Sequence, residues 1–310
     1  MSPLVAPVPP ASDVPAWVHA RGVLTLDVPR VMAVVNLTPD SFSDGGALLP
    51  AGGEAPDAGL VARRCRGLVQ EGADILDLGG ESTRPGAEPV APELELRRVL
   101  PVLRLLAADP ELAAIPISVD TRRAAVAAAA MAAGAAIIND VSGLADPAMA
   151  EVAARSGAGL VLGHLRGEPA TMQRGIRFAD LLAEVADELR AAVMRALRAG
   201  VASERVVVDP GVGFGKTPEQ SAALVACAAD LVQETGCPVL IGASRKGFLG
   251  AITGRPVGAR LIASVAAAVV AVERGASVVR VHDVAATVEA LRVADAVRRA
   301  YAGASAGRRA

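Results

Sequence analysis

Eight short apolar runs rich in β-branched residues recur along the chain, at residues 31–36, 74–79, 116–120, 136–140, 159–164, 205–209, 238–244 and 278–283. Each ends in a polar or charged residue and passes into a loop containing Gly, Pro or Ser. Each then gives way to an Ala/Leu/Arg stretch of helical periodicity, as at 123–133 and 181–199. These are strong helix formers. Glycine marks the return from helix to strand in EGAD (71–74), AGA (133–135) and RGAS (274–277). Strand–helix alternation predicts a parallel sheet. Eight repeats favour closure into an α/β fold of the (β/α)8 TIM-barrel type, which needs about 250 residues. An open doubly wound sheet is the alternative that the pattern leaves standing. Prolines make residues 1–22 read as a flexible, disordered arm before a single barrel domain at 23–300. The Gly/Ala/Arg-rich residues 301–310 read as a flexible tail.

The polar residues fall at one place in this repeat. Asn36, Asp120, Asn139, Asp140, His164, Asp209, Ser244, Arg280 and His282 lie at or near the C-terminal ends of apolar strands. In a barrel those ends form one ring around one pocket. Any one of them could be a strand terminator or helix cap, and Asp140 and Asp283 fit that reading best. The whole set in one layer does not.

Composition narrows the picture. Aromatics are 2% against 52% hydrophobic residues, so the core must be Ala, Val, Leu and Ile. Such side chains suit helices packed closely on a parallel sheet. A net charge of −2 offers nothing to attract nucleic acid or an anionic membrane. Cys65, Cys227 and Cys237 have no metal-type spacing and read as buried small hydrophobes in a reducing cytoplasm. The first residues lack a basic stretch, so no signal peptide is expected. The apolar run 261–272 is too short to span a bilayer. A soluble, cytoplasmic protein is expected.

The loops after the strands carry the chemistry. NLTPDSFSDGG (36–46) places Phe42 in a polar glycine-containing loop, where a ring could cover a flat substrate. GGESTRPGA (79–87) sets Thr83 and Arg84 between glycines and a proline, a cation suited to anions. DPGVGFGKT (209–217) resembles a nucleotide-binding P-loop, but that pattern needs glycine where Pro210 stands. It leaves Asp209 at a strand end and Phe214 in a glycine loop. In IGASRKGFLG (241–250), Ser244 and Lys246 precede a helix whose free N–H groups could hold an anion. In RVHDV (280–284), alternation puts Arg280 and His282 on one face, which reads as a phosphate or diphosphate site opposite Asn36.

Taken in order with ISVDT (117–121) and IINDVSGL (137–144), these motifs resemble the dihydropteroate synthases of the pterin-binding barrel family, from about residue 31 to 293. The resemblance implies a transferase of folate (tetrahydrofolate) biosynthesis. It would condense 6-hydroxymethyl-7,8-dihydropterin diphosphate with 4-aminobenzoate to give 7,8-dihydropteroate and diphosphate. It also implies Mg²⁺, a homodimer, and inhibition by sulfonamides as aminobenzoate mimics. Carried over by motif, Asp120, Asn139, Asp209, Phe214, Lys246 and Arg280 would bind the pterin. A pterin edge has N–H donors for carboxylates, and a carbonyl and ring nitrogens for Lys and Asn. Asn36, Arg84, Arg280 and His282 would hold the diphosphate, with Asn36 also near Mg²⁺. Phe42, Asp44, Thr83, Pro85, Ser244 and Lys246 would form the aminobenzoate site. Asp120, Asp209, Lys246, Arg280 and His282 would carry the catalytic step. The chain departs from the family's usual residues at Gly163, Gln220 and Ser221.

Two other readings share this barrel. A methyltetrahydrofolate:corrinoid methyltransferase would need neither STRPG nor SRK, and works with a cobalamin module for which no chain is left. A non-catalytic pterin-binding paralogue could lose the loop and anion residues, which here are intact.

Overall fold

The computed structural model describes residues 15–38, 55–84 and 86–306. Two antiparallel strands come first, β1 (Ala16–His19) and β2 (Gly22–Thr25). Eight parallel strands follow: β3 (Arg30–Asn36), β4 (Ile75–Gly79), β5 (Ile117–Asp120), β6 (Ile137–Asp140), β7 (Gly159–Gly163), β8 (Val206–Asp209), β9 (Leu240–Ile241) and β10 (Val278–Val281). Their order is β8-β7-β6-β5-β4-β3-β10-β9, and a parallel bridge from Val208 to Val239 closes the ring. This is the (β/α)8 TIM barrel, not the open sheet.

Every expected strand is present within a few residues. The run at 238–244 pairs regularly only at Leu240–Ile241, because the chain then turns through Arg245, which has a φ of +58°. The expected helices form as Ala124–Ala132 and Leu181–Arg198. At the return to strand, Gly134 has a φ of +109°, and a Cβ there would meet the Ala107 methyl at 2.8 Å.

The core has two parts. Outward-facing strand residues such as Val35, Leu76, Val119 and Ile138 pack on the apolar faces of the helices. Inside the barrel, at its lower end, a separate cluster contains Met32, Ile75, Ile137, Val161, Val207, Leu240 and Val278. Trp17 of the β1–β2 hairpin belongs to this cluster and plugs the barrel floor. Its Nε1 donates to the Arg205 carbonyl at 2.9 Å. A Cβ on Gly159 would lie 3.1 Å from that nitrogen, so the bare glycine lets the indole in.

The hairpin corrects the expected boundary of the arm. Residues 16–22 are paired and packed, since HARG makes a turn between two alternating segments. The tail is corrected too. The last helix runs Val284–Ala306, because one glycine among alanines costs only about 1 kcal/mol and does not stop it.

Candidate active site

The strand ends surround a cavity of about 570 Å³, lined by Asn36, Thr83, Arg84, Asp120, Phe214, Ser244, Lys246, Arg280 and His282 among others. These sequence-chosen residues, drawn from β3, β5, β10 and four loops, therefore meet in one place. Asn139 and Asp209 are buried at the inner ends of β6 and β8 and are absent from the lining. Two pairs of side chains stand near them. Arg280 donates from Nη2 to Asp120 Oδ2 at 2.7 Å, and the Lys246 ammonium sits 3.7 Å from the centre of the Phe214 ring. Phe42, Asp44 and Pro85 lie outside the described residues.

The floor is a buried polar network that the motifs did not name. Asp77 on β4 is fully buried, and its Oδ2 accepts from Arg280 Nε at 2.6 Å and from Asn139 Nδ2 at 3.1 Å. Two acids thus share one guanidinium, whose pKa they raise above its ordinary value despite the burial. Asp120 Oδ1 is buried with no hydrogen-bond partner among the described residues. A buried acceptor of that kind is rare unless a ligand, water or ion satisfies it. Burial pushes the Asp120 carboxyl up to about 7, with Arg280 pulling the other way. Burial also raises Asp209, while the Gly211 N–H, bonded to it at 2.8 Å, opposes the rise.

Cations share the cavity with the acids. Burial lowers the Lys246 ammonium to about 8, and Asp209 opposes that drop. Burial, reinforced by Arg280, holds His282 down at about 3, so its ring is neutral at pH 7. The imidazole is fixed by Ser244, whose Oγ lies 3.1 Å from Nδ1 and accepts from the His282 N–H at 3.2 Å. Arg245 pairs with Asp283 at 2.6 Å, so Asp283 is a loop anchor. Lys246 stands at the N-terminus of a short helix, Gly247–Thr253.

Several supports went unread in the motifs. Glu81 Oε1 accepts from the Val90 N–H at 3.1 Å and from Arg123 at 2.8 Å, and Arg122 holds Oε2 at 2.9 Å. This ties the loop carrying Thr83 and Arg84 to the start of the next helix. A charged residue beside STRP was the available signal. Gln173 donates to the Gly213 carbonyl at 2.8 Å and joins two loops at the cavity wall. Lys216 donates to the Phe214 carbonyl at 2.9 Å and lies 2.8 Å from His164 Nδ1. Burial brings it to about 7.

His164 is a correction. It lines a smaller cavity of about 210 Å³ with Glu188 and Arg195, outside the main ring. Strand alternation is the cause: Val161 faces inward, so Gly163 does too and His164 faces out. Asp140 also leaves the ring, accepting from the N–H groups of Ser142 and Leu144 at 2.9 and 2.7 Å. The departures have local reasons. A Cβ at Gly163 would lie 2.6 Å from Val141 Cα, so a larger residue would need a backbone shift. Gln220 completes a capping box with Thr217, and Ser221 donates to the Thr217 carbonyl at 2.8 Å.

Among the described residues no three His, Cys, Asp or Glu side chains converge on a metal position. At the cavity wall Asn36 offers a single amide oxygen. That set fits an ion that keeps its waters and takes most of its ligands from a phosphate, as Mg²⁺ does.

Buried acceptors and cations gathered at one cavity of a closed parallel barrel define a protein built for a polar, anionic small molecule. The family model described as "Pterin binding enzyme" matches residues 32–282. Dihydropteroate synthase of Neisseria meningitidis serogroup B is 45% identical over 286 residues, 91% of this chain and 97% of that one. The structure of the Xanthomonas albilineans dihydropteroate synthase with 4-aminobenzoic acid superposes with a TM-score of 0.82 at 44% identity, covering 92% of this chain and 98% of the other. That of the Burkholderia cenocepacia synthase with 7,8-dihydropteroate gives 0.82 at 42%, covering 94% and 100%. The chain belongs to the dihydropteroate synthase family of pterin-binding enzymes.

Proposed function

We propose that this protein condenses 6-hydroxymethyl-7,8-dihydropterin diphosphate with 4-aminobenzoate, giving 7,8-dihydropteroate and diphosphate. It is a transferase of folate biosynthesis. The observation that carries the reading is the gathering of charge at one cavity, where Asp120, Arg84, Lys246, Arg280 and His282 line the wall and Asp209 is buried behind it.

Asp120 and Asp209 accept the N–H groups of the pterin edge, and Lys246 donates to its carbonyl or ring nitrogens. The free Asp120 Oδ1 supports this pairing. A pterin N–H that takes Asp120 also weakens the hold of that carboxylate on Arg280 Nη2. The guanidinium can then turn its outer nitrogens to the diphosphate while Nε stays on Asp77. Arg84 and His282 complete the diphosphate site. The neutral His282 suits a donor to a phosphate oxygen, and Ser244 fixes its ring. Thr83 and Ser244, both on the cavity wall, would take the aminobenzoate.

The pterin methylene loses its C–O bond to diphosphate and gains a C–N bond to the arylamine. The electron-rich ring stabilises the cation that forms as diphosphate departs. The amine is neutral and nucleophilic at pH 7, so no strong base is required. Its surplus proton leaves to diphosphate or water. Arg84 and Arg280 stabilise the charge that develops on the leaving group. Positioning of the amine supplies much of the remainder.

Mg²⁺ belongs to this proposal, held by Asn36 and the diphosphate, where it would neutralise leaving-group charge. A homodimer belongs to it as well. Ile262, 84% exposed, and the exposed Ile252, Val293 and Val297 lie on the helices Gly247–Thr253, Leu261–Glu273 and Val284–Ala306, and support a second copy as the cover. Three free, buried cysteines support a cytoplasmic location. No helix among the described residues is long and apolar enough to cross a membrane.

The test is formation of dihydropteroate from the two substrates by purified protein, with and without a chelator. Turnover that stops on chelation and returns with Mg²⁺ is expected. Folded protein without turnover would sink the reaction, and turnover indifferent to the chelator would sink the metal.

A further inference from the structure

The pocket-facing polar groups do not explain Asp77. It is fully buried, takes no part in the cavity lining, and carries a carboxylate in the middle of the apolar strand ILDLG. A buried carboxylate is expensive unless its bonds are specific. Here both bonds converge on one oxygen, from Arg280 Nε at 2.6 Å and Asn139 Nδ2 at 3.1 Å.

The sheet register places Asp77 one interior level deeper than Asn139. Asp77 is level with Val34 and Ser118, whereas Gly79 is level with Asn36 and Asp120, and Asp120 with Asn139. Asn139 therefore turns its amide nitrogen down towards the barrel floor. An ionised carboxylate accepts only, so it selects the NH₂ end of the amide and rejects the carbonyl. The Asn139 carbonyl is then left for the side away from Asp77, towards the level of Asp120.

We infer that Asp77 is a positioning residue which sets the donor–acceptor sense of Asn139, and through it the pocket's preference for a 2-amino over a 2-oxo pteridine ring. The inference rests on the proposed pterin site. With Asn139 held carbonyl-outward, it joins Asp120 and Asp209 as a third acceptor. Such a set matches a ring edge rich in N–H donors and penalises one that presents a carbonyl in the same place. A site that leaves buried polar groups unpaired rejects the wrong analogue strongly. Without Asp77 the amide is free to flip, and a flipped amide meets a carbonyl as well as it meets an amine.

The experiment titrates pterin and lumazine, the 2-amino and 2-oxo rings, against wild type, Asp77→Ala, Asp77→Asn and Asn139→Ala. Wild type should prefer pterin by at least about tenfold. Asp77→Ala should bring the two affinities within about threefold of each other. Asp77→Asn keeps the shape but can donate as well as accept, so it too should lose most of the preference. In the Asn139→Ala background, Asp77→Ala should change the ratio no further, since the two act as one unit. If Asp77→Ala does not fold, Asp77→Ser, whose hydroxyl donates as readily as it accepts, replaces it.

Equal weakening of both ligands in Asp77→Ala, with the ratio kept, would make Asp77 a structural charge only and overturn the inference. A wild type that binds both rings equally would overturn it too. A wild type that binds neither would instead overturn the pterin site beneath it.

Discussion

The barrel interior has two levels that differ in everything but their strands. The lower one is apolar: Met32, Ile75, Ile137, Val207 and Val278, closed by Trp17. The upper one is polar: Asn36, Asp77, Asn139, Asp209 and Arg280. On four of these strands the change takes two residues: Ile75 to Asp77, Ile137 to Asn139, Val207 to Asp209 and Val278 to Arg280. Two residues of strand span about 6.6 Å. Over that distance the same backbone passes from a layer that stabilises the barrel to a layer that costs it stability and holds charge. The upper layer can afford acids in the interior because the rest of the interior, hairpin included, is packed.

The largest expected effect separates the levels from below. Trp17→Ala removes the plug and its bond to the Arg205 carbonyl. It should lower unfolding stability by about 3–5 kcal/mol. Pterin affinity per folded molecule should stay at the wild-type value. Denaturant unfolding with a parallel pterin titration checks both. Matched losses of stability and affinity would show that the two levels are not independent.

A smaller effect comes from the protons of the upper level. Asp120, pushed up to about 7, gains a proton as pH falls and ceases to be an acceptor. Lys246, brought down to about 8, loses its charge as pH rises and ceases to hold an anion or donate fully. In the free enzyme, kcat/KM for the pterin diphosphate should therefore be bell-shaped, highest between these values. Each limb should fall by up to about tenfold per pH unit. The limbs report the linked group, since Arg280 and Asp209 couple the acids to the lysine. A flat profile from about pH 6 to about pH 9 would contradict the charge arrangement.

The difference between the levels also explains what the sequence disclosed. Strand ends were legible because apolar β-branched runs stop at them, so Asn36, Asp120, Asp209 and Arg280 could be placed before any coordinate. His164 was misplaced because a strand end gives the height of a residue and not its face; counting alternation from Val161 would have turned it out. Asp77 went unnamed because it sits mid-strand, where a charge is overlooked among ILDLG. The same count from Ile75 would have pointed it inward. The hairpin was hidden by the prolines before it, although Ala16–His19 and Gly22–Thr25 flank a turn. Lys216 looked like part of a nucleotide motif, and its partners, the Phe214 carbonyl and His164, come from a loop closure that spacing does not encode. The lid expected at Phe42 lies outside the described residues.

The central claim is that the upper level is the pterin edge of the site. Asp120→Asn tests it most directly, because the shape is kept while an acceptor-only group gains a donor. Calorimetric titration with pterin should show an affinity roughly tenfold to a hundredfold below wild type, the cost of about 1–3 kcal/mol for an unpaired buried donor. The same variant should remain folded, since Asp77 still holds Arg280 at 2.6 Å. Pterin affinity unchanged in a folded Asp120→Asn protein would contradict the account.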